Sequence, residues 1–166
     1  MVKKDFLVSS DLYDLSSPVA DINEIRRYNP QRFEMEQLSA ILYIDEEAKT
    51  AVGCKYLTDN EFWVRGHMPG APLLPGVVLC ESVAQLASYY VSRFKLMGDE
   101  VMMGFAGMDE VKFRGIVRPG DTLVVQTKFL KMRRILISAQ FMAIVNNNIV
   151  AEGIIKGFPL ERKYLQ

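Results

Sequence analysis

Along the chain the spacing of apolar and polar positions changes period several times, and each change predicts an element. From Leu38, LSAILYID and TAVGCKYL are β-rich runs separated by the charged stretch DEEAK, which predicts a hairpin with Glu46 and Glu47 as solvated turn residues. In RILISAQFMAIV the residues Ile135, Ile137, Ala139, Phe141, Ala143 and Val145 share one alternating face while Ser138 and Gln140 face the other way, the pattern of a half-buried strand. DTLVVQTKFLKM precedes it after a Pro119-Gly120-Asp121 turn. IVAEGIIKGF follows it after Asn146-Asn147-Asn148, a turn that uses asparagine's tolerance of left-handed backbone. VMMGFAGM and EVKFRGIV complete a set of about six strands.

Two stretches leave the strand period. Ser17-Pro18 followed by VADINEIRRYN predicts a short helix over 18–29, with Ser17 as N-cap, Pro18 at the first helical position and an end before Pro30. Residues 1–17 ahead of it read as an N-terminal extension. The segment 75–95 predicts the one long helix, apolar on most of its circumference and therefore buried. Roughly 20 helical residues span about 30 Å, the width of a small domain. The expected architecture is α+β: an antiparallel sheet of about six strands wrapped around this central helix, in a single domain, 1–166.

Composition narrows the function classes. The 166 residues are 49% apolar, enough for a globular core, and 20 basic against 20 acidic side chains give a formal charge of zero. No global field then draws the protein to nucleic acid or a membrane surface, so an anionic partner must meet a local basic patch. The apolar run Phe6-Leu7-Val8 is too short for a secretory signal, and no segment approaches the roughly 18 apolar residues of a membrane span. Cys54 and Cys80 sit in separate elements and the chain has one histidine, His67, so neither a metal site nor a disulfide is expected. Both cysteines read as buried free thiols, which suits a reducing, cytoplasmic compartment.

On the long helix Glu81, Gln85, Ser88 and Ser92 are spaced by four, three and four residues, which keeps them in one narrow stripe. Periodicity alone assigns such a stripe to solvent or to a partner subunit. Just ahead of it, GHMPGAPLLPG places His67 in a loop stiffened by prolines and shaped by glycines, with Pro75 and Gly76 where the helix begins. A helix start offers free N–H groups and the positive end of its dipole. An imidazole, a carboxyl on an apolar helix and backbone donors are the parts needed to remove a proton α to a carbonyl and expel a β leaving group.

The stretch GHMPGAPLLPGVVLCESVAQ resembles the G-H-F-P-G-x-P-x-x-P-G-x-x-x-x-E-x-x-A-Q signature of the hot-dog-fold 3-hydroxyacyl-acyl-carrier-protein dehydratases, with Met68 in place of Phe and 14 residues from His67 to Glu81. Asn60-Glu61 and KFRGIVRPGD also match, and the likeness covers roughly residues 19 to 158. The resemblance implies a hot-dog fold and dehydration of 3-hydroxyacyl thioesters on acyl carrier protein, the plain reaction without isomerisation, needing no metal or redox cofactor. It implies His67 as the base at C2, Glu81 as the acid at the 3-hydroxyl, the Gly76 N–H on the thioester carbonyl, Gln85 orienting Glu81, and Val77 in the substrate site. It also implies a homodimer whose sites each draw on two chains, often assembled further into a trimer of dimers.

One segment departs from the family: where P-H-R-Y-P-F-L-L-V-D is usual, this chain carries Pro30-Gln31-Arg32-Phe33-Glu34-Met35-Glu36-Gln37-Leu38-Ser39. An acidic carrier needs a basic docking site, for which Lys131, Arg133 and Arg134 at a hairpin and Arg93 with Lys95 at the helix end are the candidates, solvated strand and helix ends being the plain alternative. Met102, Met103, Met108 and Met142 read as flexible core filler, with acyl-tunnel lining as the sharper reading. The competing functions are a hot-dog thioesterase, and an acyl-binding or assembly protein that kept the motif while the segment from Gln31 to Ser39 changed its use.

Overall fold

The computed structural model describes residues 5–165, so the first four positions of the N-terminal extension and the final residue lie outside the described residues. β1 (Ala40–Asp45) and β2 (Thr50–Tyr56) form the first hairpin, closed by Asp45 accepting the Ala48 N–H at 2.8 Å and by Lys49 at φ 57°. The long helix α2 (Gly76–Arg93) follows, and then four longer strands: β3 (Val101–Phe113), β4 (Thr122–Arg133), β5 (Leu136–Val145) and β6 (Asn148–Glu161). All neighbours are antiparallel, in the order β1-β2-β4-β5-β6-β3. Asn146 and Asn147, at φ 49° and 61°, supply the two left-handed positions that a tight hairpin requires.

The sheet curls over α2, as its apolar surface demands. Leu79, Val83, Leu86 and Tyr90 of the helix share one buried core with Ile137, Ala139 and Phe141 of β5, each large side chain contributing about 1.5–3 kcal/mol by leaving water. The Tyr90 ring stacks on Phe129 of β4 at 4.4 Å between centroids.

Five expectations change. The short helix α1 (Ile22–Tyr28) is capped by Asp21, which accepts the Glu24 N–H at 2.9 Å, rather than by Ser17. Residues 19 and 20 cannot be helical because their backbones pair with Ile41: Val19 N–H donates to the Ile41 carbonyl and Ile41 N–H to the Ala20 carbonyl. VMMGFAGM and the start of EVKFRGIV are one strand, β3, whose register shifts between Phe105 and Gly107 and again between Asp109 and Lys112. Extra residues at those bulges break the alternation that would have marked a single strand.

β5 is not half-buried. Ser138, Met142 and Ile144 on its other face are also buried, Ile144 among Val8, Leu42, Val52, Cys54 and Val124, with Phe6 and Tyr13 packed alongside. The N-terminal segment lies across the outer face of the sheet and is fastened there by Gln126. That fully buried amide accepts the Val8 N–H at 3.0 Å and donates to the Val8 carbonyl at 2.8 Å and to the Tyr13 hydroxyl at 3.2 Å. Ile135, expected on the inner face, lies in the β4–β5 turn and is exposed. The polar stripe of α2 does not face solvent either: Gln85, Ser88 and Ser92 are buried within the protomer. Among the described residues no helix is long and apolar enough to cross a membrane.

Candidate active site

The loop ahead of α2 is built around His67. Its N–H donates to the Trp63 carbonyl at 2.8 Å, its carbonyl accepts the Leu73 N–H at 2.8 Å, and its Nδ1 lies 2.8 Å from the Leu73 carbonyl oxygen. The peptide bond after it, to Met68, is cis. A carbonyl can only accept, so Nδ1 carries the proton in that contact, and Nε2 is the nitrogen left with a lone pair in the neutral ring. The loop is anchored beyond the histidine by Leu74 N–H on the Val117 carbonyl.

Glu81 lies one turn and a half into α2 and is half-buried. Gln85 Nε2 donates to its Oε1 at 2.7 Å, and Gln31 Nε2 approaches the same oxygen at 3.4 Å. Gln85 is itself fixed from the other side: its Nε2 also donates to the Met35 carbonyl at 2.6 Å and its Oε1 accepts the Gln37 N–H at 2.9 Å. The segment Gln31 to Ser39 is therefore stitched to the helix turn that carries the carboxyl.

Glu81 opens into an apolar cavity of about 440 Å3 shared by Val77, Cys80 and Ala84 of α2 with Phe105, Met108 and Phe113 of β3. Val77 is 80% exposed and Phe105 58%, so one wall of this cavity is open in the single chain. His67 is not among its lining residues, and Gln85 sits behind Glu81 against a second, smaller cavity. The structure thus sets Glu81 and Val77 on this cavity with Gln85 behind them, and leaves His67 outside its lining. Gly76 opens α2, where helix geometry leaves the first N–H groups without intrahelical partners. A β-carbon at Gly76 would stand 2.8 Å from the Phe113 ring, so the helix start and the cavity wall meet at van der Waals distance only because that residue is glycine.

Cys80 differs from expectation: it is half-buried and lines the cavity, whereas Cys54 is buried in the sheet; both are free, and burial pushes both thiols up. Sequence reasoning missed Cys80, Ala84 and Phe113 as cavity residues. The spacing of Val77, Cys80 and Ala84 held a signal, since steps of three and four share one helix face. Of the four methionines singled out in the sequence, Met108 lines the cavity, while Met102, Met103 and Met142 are buried. Among the described residues no group of three or more His, Cys, Asp or Glu side chains could hold a metal ion.

Comparison with known proteins decides the family. A profile described as a FabA-like domain matches residues 29–154. The 3-hydroxyacyl-acyl-carrier-protein dehydratase FabZ of Caldicellulosiruptor saccharolyticus is 35% identical over 134 residues, 80% of this chain and 94% of its own length. The chain belongs to the hot-dog 3-hydroxyacyl-acyl-carrier-protein dehydratase family. The FabZ dehydratases of Hydrogenobaculum sp., 35% identical with 81% of this chain and 91% of theirs covered, and of Desulforamulus reducens, 36% identical with 80% and 92% covered, match in the same way.

Solved structures agree on the fold. The dehydratase heterocomplex ApeI:P from Xenorhabdus doucetiae superposes with a TM-score of 0.71 at 14% identity, covering 85% of this chain and 93% of that one. A sigma28-regulated virulence protein from Campylobacter jejuni gives 0.62 at 14% identity, covering 87% and 95%. The basic side chains at the β4–β5 hairpin and at the end of α2 have different surroundings. Lys131, Arg133 and Arg134 are exposed, and Arg134 Nη2 lies 3.5 Å from where a β-carbon on Gly98 would stand, just past the end of α2. Of the helix-end pair, Lys95 is held by Asp99 at 2.7 Å and the Arg93 guanidinium lies over the Tyr28 ring at 5.8 Å.

Proposed function

We propose that this dehydratase removes water from 3-hydroxyacyl thioesters on an acyl carrier protein, giving trans-2-enoyl thioesters in fatty acid or related lipid synthesis, with His67 and Glu81 as its catalytic pair. The observation that carries the reading is a carboxyl held by amide donors at the wall of an apolar cavity large enough for an acyl chain. His67 Nε2 takes the C2 proton, and the electron pair of that C–H bond moves toward the thioester carbonyl, whose developing charge meets the Gly76 N–H at the start of α2. The C3–O bond then breaks, Glu81 gives its proton to the departing hydroxyl, and water leaves as the C2–C3 double bond forms. A proton passed from His67 back to Glu81 resets the pair. No step calls for a metal or redox cofactor.

The site is read as shared between two chains. His67 does not line the Glu81 cavity, Val77 and Phe105 leave that cavity open, and β3, which carries Phe105 and Phe113, is the edge strand beside it. A second copy set against this edge would close the cavity and bring its own imidazole, giving a homodimer; a trimer of dimers is the larger assembly implied by the family. Lys131, Arg133 and Arg134 are the proposed landing site for the acidic carrier. Two free cysteines support a reducing, cytoplasmic compartment.

Crotonyl thioester tests the reading. Loss of the conjugated enoyl absorbance without release of free thiol is the expected result; thiol release would mark a thioesterase instead, and binding without either reaction an acyl-binding protein. Mixing His67→Ala and Glu81→Gln subunits restores activity if each site draws on two chains, and no recovery after demonstrated subunit exchange would refute the sharing.

A further inference from the structure

We propose that Gln31 is a positioning residue that, together with Gln85, holds Glu81 so that only Oε2 is presented to substrate. The inference deepens the proposed function and rests on its reading of Glu81 as the acid. Gln31 belongs to the segment that departs from the family pattern and stands where that pattern has histidine. The segment is built, not loose. Arg32 donates to the carbonyls of Asn29, Gln31 and Arg26 at 2.8, 2.6 and 3.0 Å. Arg26 grips Glu36 through two bonds of 2.6 and 2.9 Å, and Lys55 holds the Glu36 carbonyl at 2.9 Å.

The amide of Gln31 has a defined sense. Its Nε2 lies toward Glu81 Oε1, and reversing the amide would set a carbonyl oxygen against a carboxylate oxygen. Its own Oε1 is buried with no protein partner, as is Oδ1 of Asn29, and both residues line the small cavity behind Gln85. That cavity is of the size of one water molecule, and a water has two protons to give to two such acceptors. Such a water would hold the oxygen end of Gln31 away from the carboxyl and its nitrogen end toward it.

Both amide contacts fall on the same oxygen of Glu81, at 2.7 and 3.4 Å. The carbonyl oxygen of a carboxyl group is its better acceptor, so two N–H donors on Oε1 favour the acidic proton on Oε2. Gln85 makes the stronger contact. Gln31 supplies a second direction of pull, which limits rotation of the carboxyl about its own axis.

Gln31→Met keeps length and apolar contact but removes the donor. It should lower kcat about 3- to 10-fold, as loss of one longish hydrogen bond would, with KM changed less than about twofold. Gln31→His, which restores an N–H donor, should recover most of that loss. In the Glu81→Gln background Gln31→Met should have no further effect, since its action passes through the carboxyl. Unchanged kcat in Gln31→Met, or the same fold-loss with Glu81 already replaced, would overturn the proposal. Should Gln31→Met unfold the protein, Gln31→Asn, one methylene shorter, reads the same kcat split. Full activity in Glu81→Gln alone would instead remove the acid assignment, and the proposal with it; a strongly impaired Glu81→Gln beside an unaffected Gln31→Met removes this inference only.

Discussion

His67 Nδ1 and the Leu73 carbonyl oxygen stand 2.8 Å apart, six residues apart on one stiff loop, and this contact fixes the tautomer of the neutral imidazole, with the proton on Nδ1 and the lone pair on Nε2. Because the acceptor is backbone, no side-chain substitution removes it. In the neutral ring nitrogen NMR of labelled protein should therefore show the proton on Nδ1. His67→Ala should cut dehydration about 100- to 10,000-fold, the usual contribution of a positioned acid or base, with the thermal midpoint nearly unchanged.

Gln85 ties α2 to the segment of Met35 and Gln37, so its loss should be felt in stability as well as in rate. Gln85→Leu leaves the Gln37 N–H and the Met35 carbonyl without their partner. The expected cost is about 2–4 kcal/mol, read as a lower denaturant midpoint with an unchanged slope. Glu81→Gln, by contrast, keeps a side chain of the same shape and should cut turnover about 100- to 10,000-fold, to a measurable residual rate, at little cost to the fold.

Gly76 is constrained by its neighbour rather than by its backbone angle. Gly76→Ala forces the Phe113 ring to move, with an expected loss of about 1–3 kcal/mol and a larger fall in kcat/KM, because the ring also walls the cavity. Adding Phe113→Leu should restore stability more than activity, and a double-mutant cycle measures the coupling.

Tyr90 sets an alkaline limit. Burial, with Glu46 and Asp45 nearby, pushes its phenol up to about 12 from an unfolded value near 10. A raised phenol means that the folded state holds its proton when the unfolded chain has lost it. The resulting stability is fully present below pH 10 and is lost as pH rises through about 12. Stability curves should fall across that window, and Tyr90→Phe should flatten the fall.

The strands and the long helix were legible because their periods are regular over many residues: α2 occupies 76–93 within the expected 75–95. The motif from Gly66 to Gln85 carried the family. What the sequence hid depended on contacts between distant segments. Ser17-Pro18 reads as a sound helix start, yet pairing of residues 19–20 with Ile41 moves the start to Asp21. The stripe of Glu81, Gln85, Ser88 and Ser92 has the spacing of a wet face, and only the path of residues 30–39 across α2 shows what shields Gln85. Gln31 gave no signal, since a glutamine in a loop is ordinary until its fold partner is known.

The attachment of Val8 to Gln126 gives the molecule a back and a front. On the back, the segment around Val8 upholsters Leu42, Val52, Cys54, Val124 and Ile144, so that layer of the sheet is already occupied by the chain itself. The cavity beside Glu81 belongs to the other layer, between α2 and β3, so a substitution that loosens the Val8 attachment should cost stability before it changes that cavity.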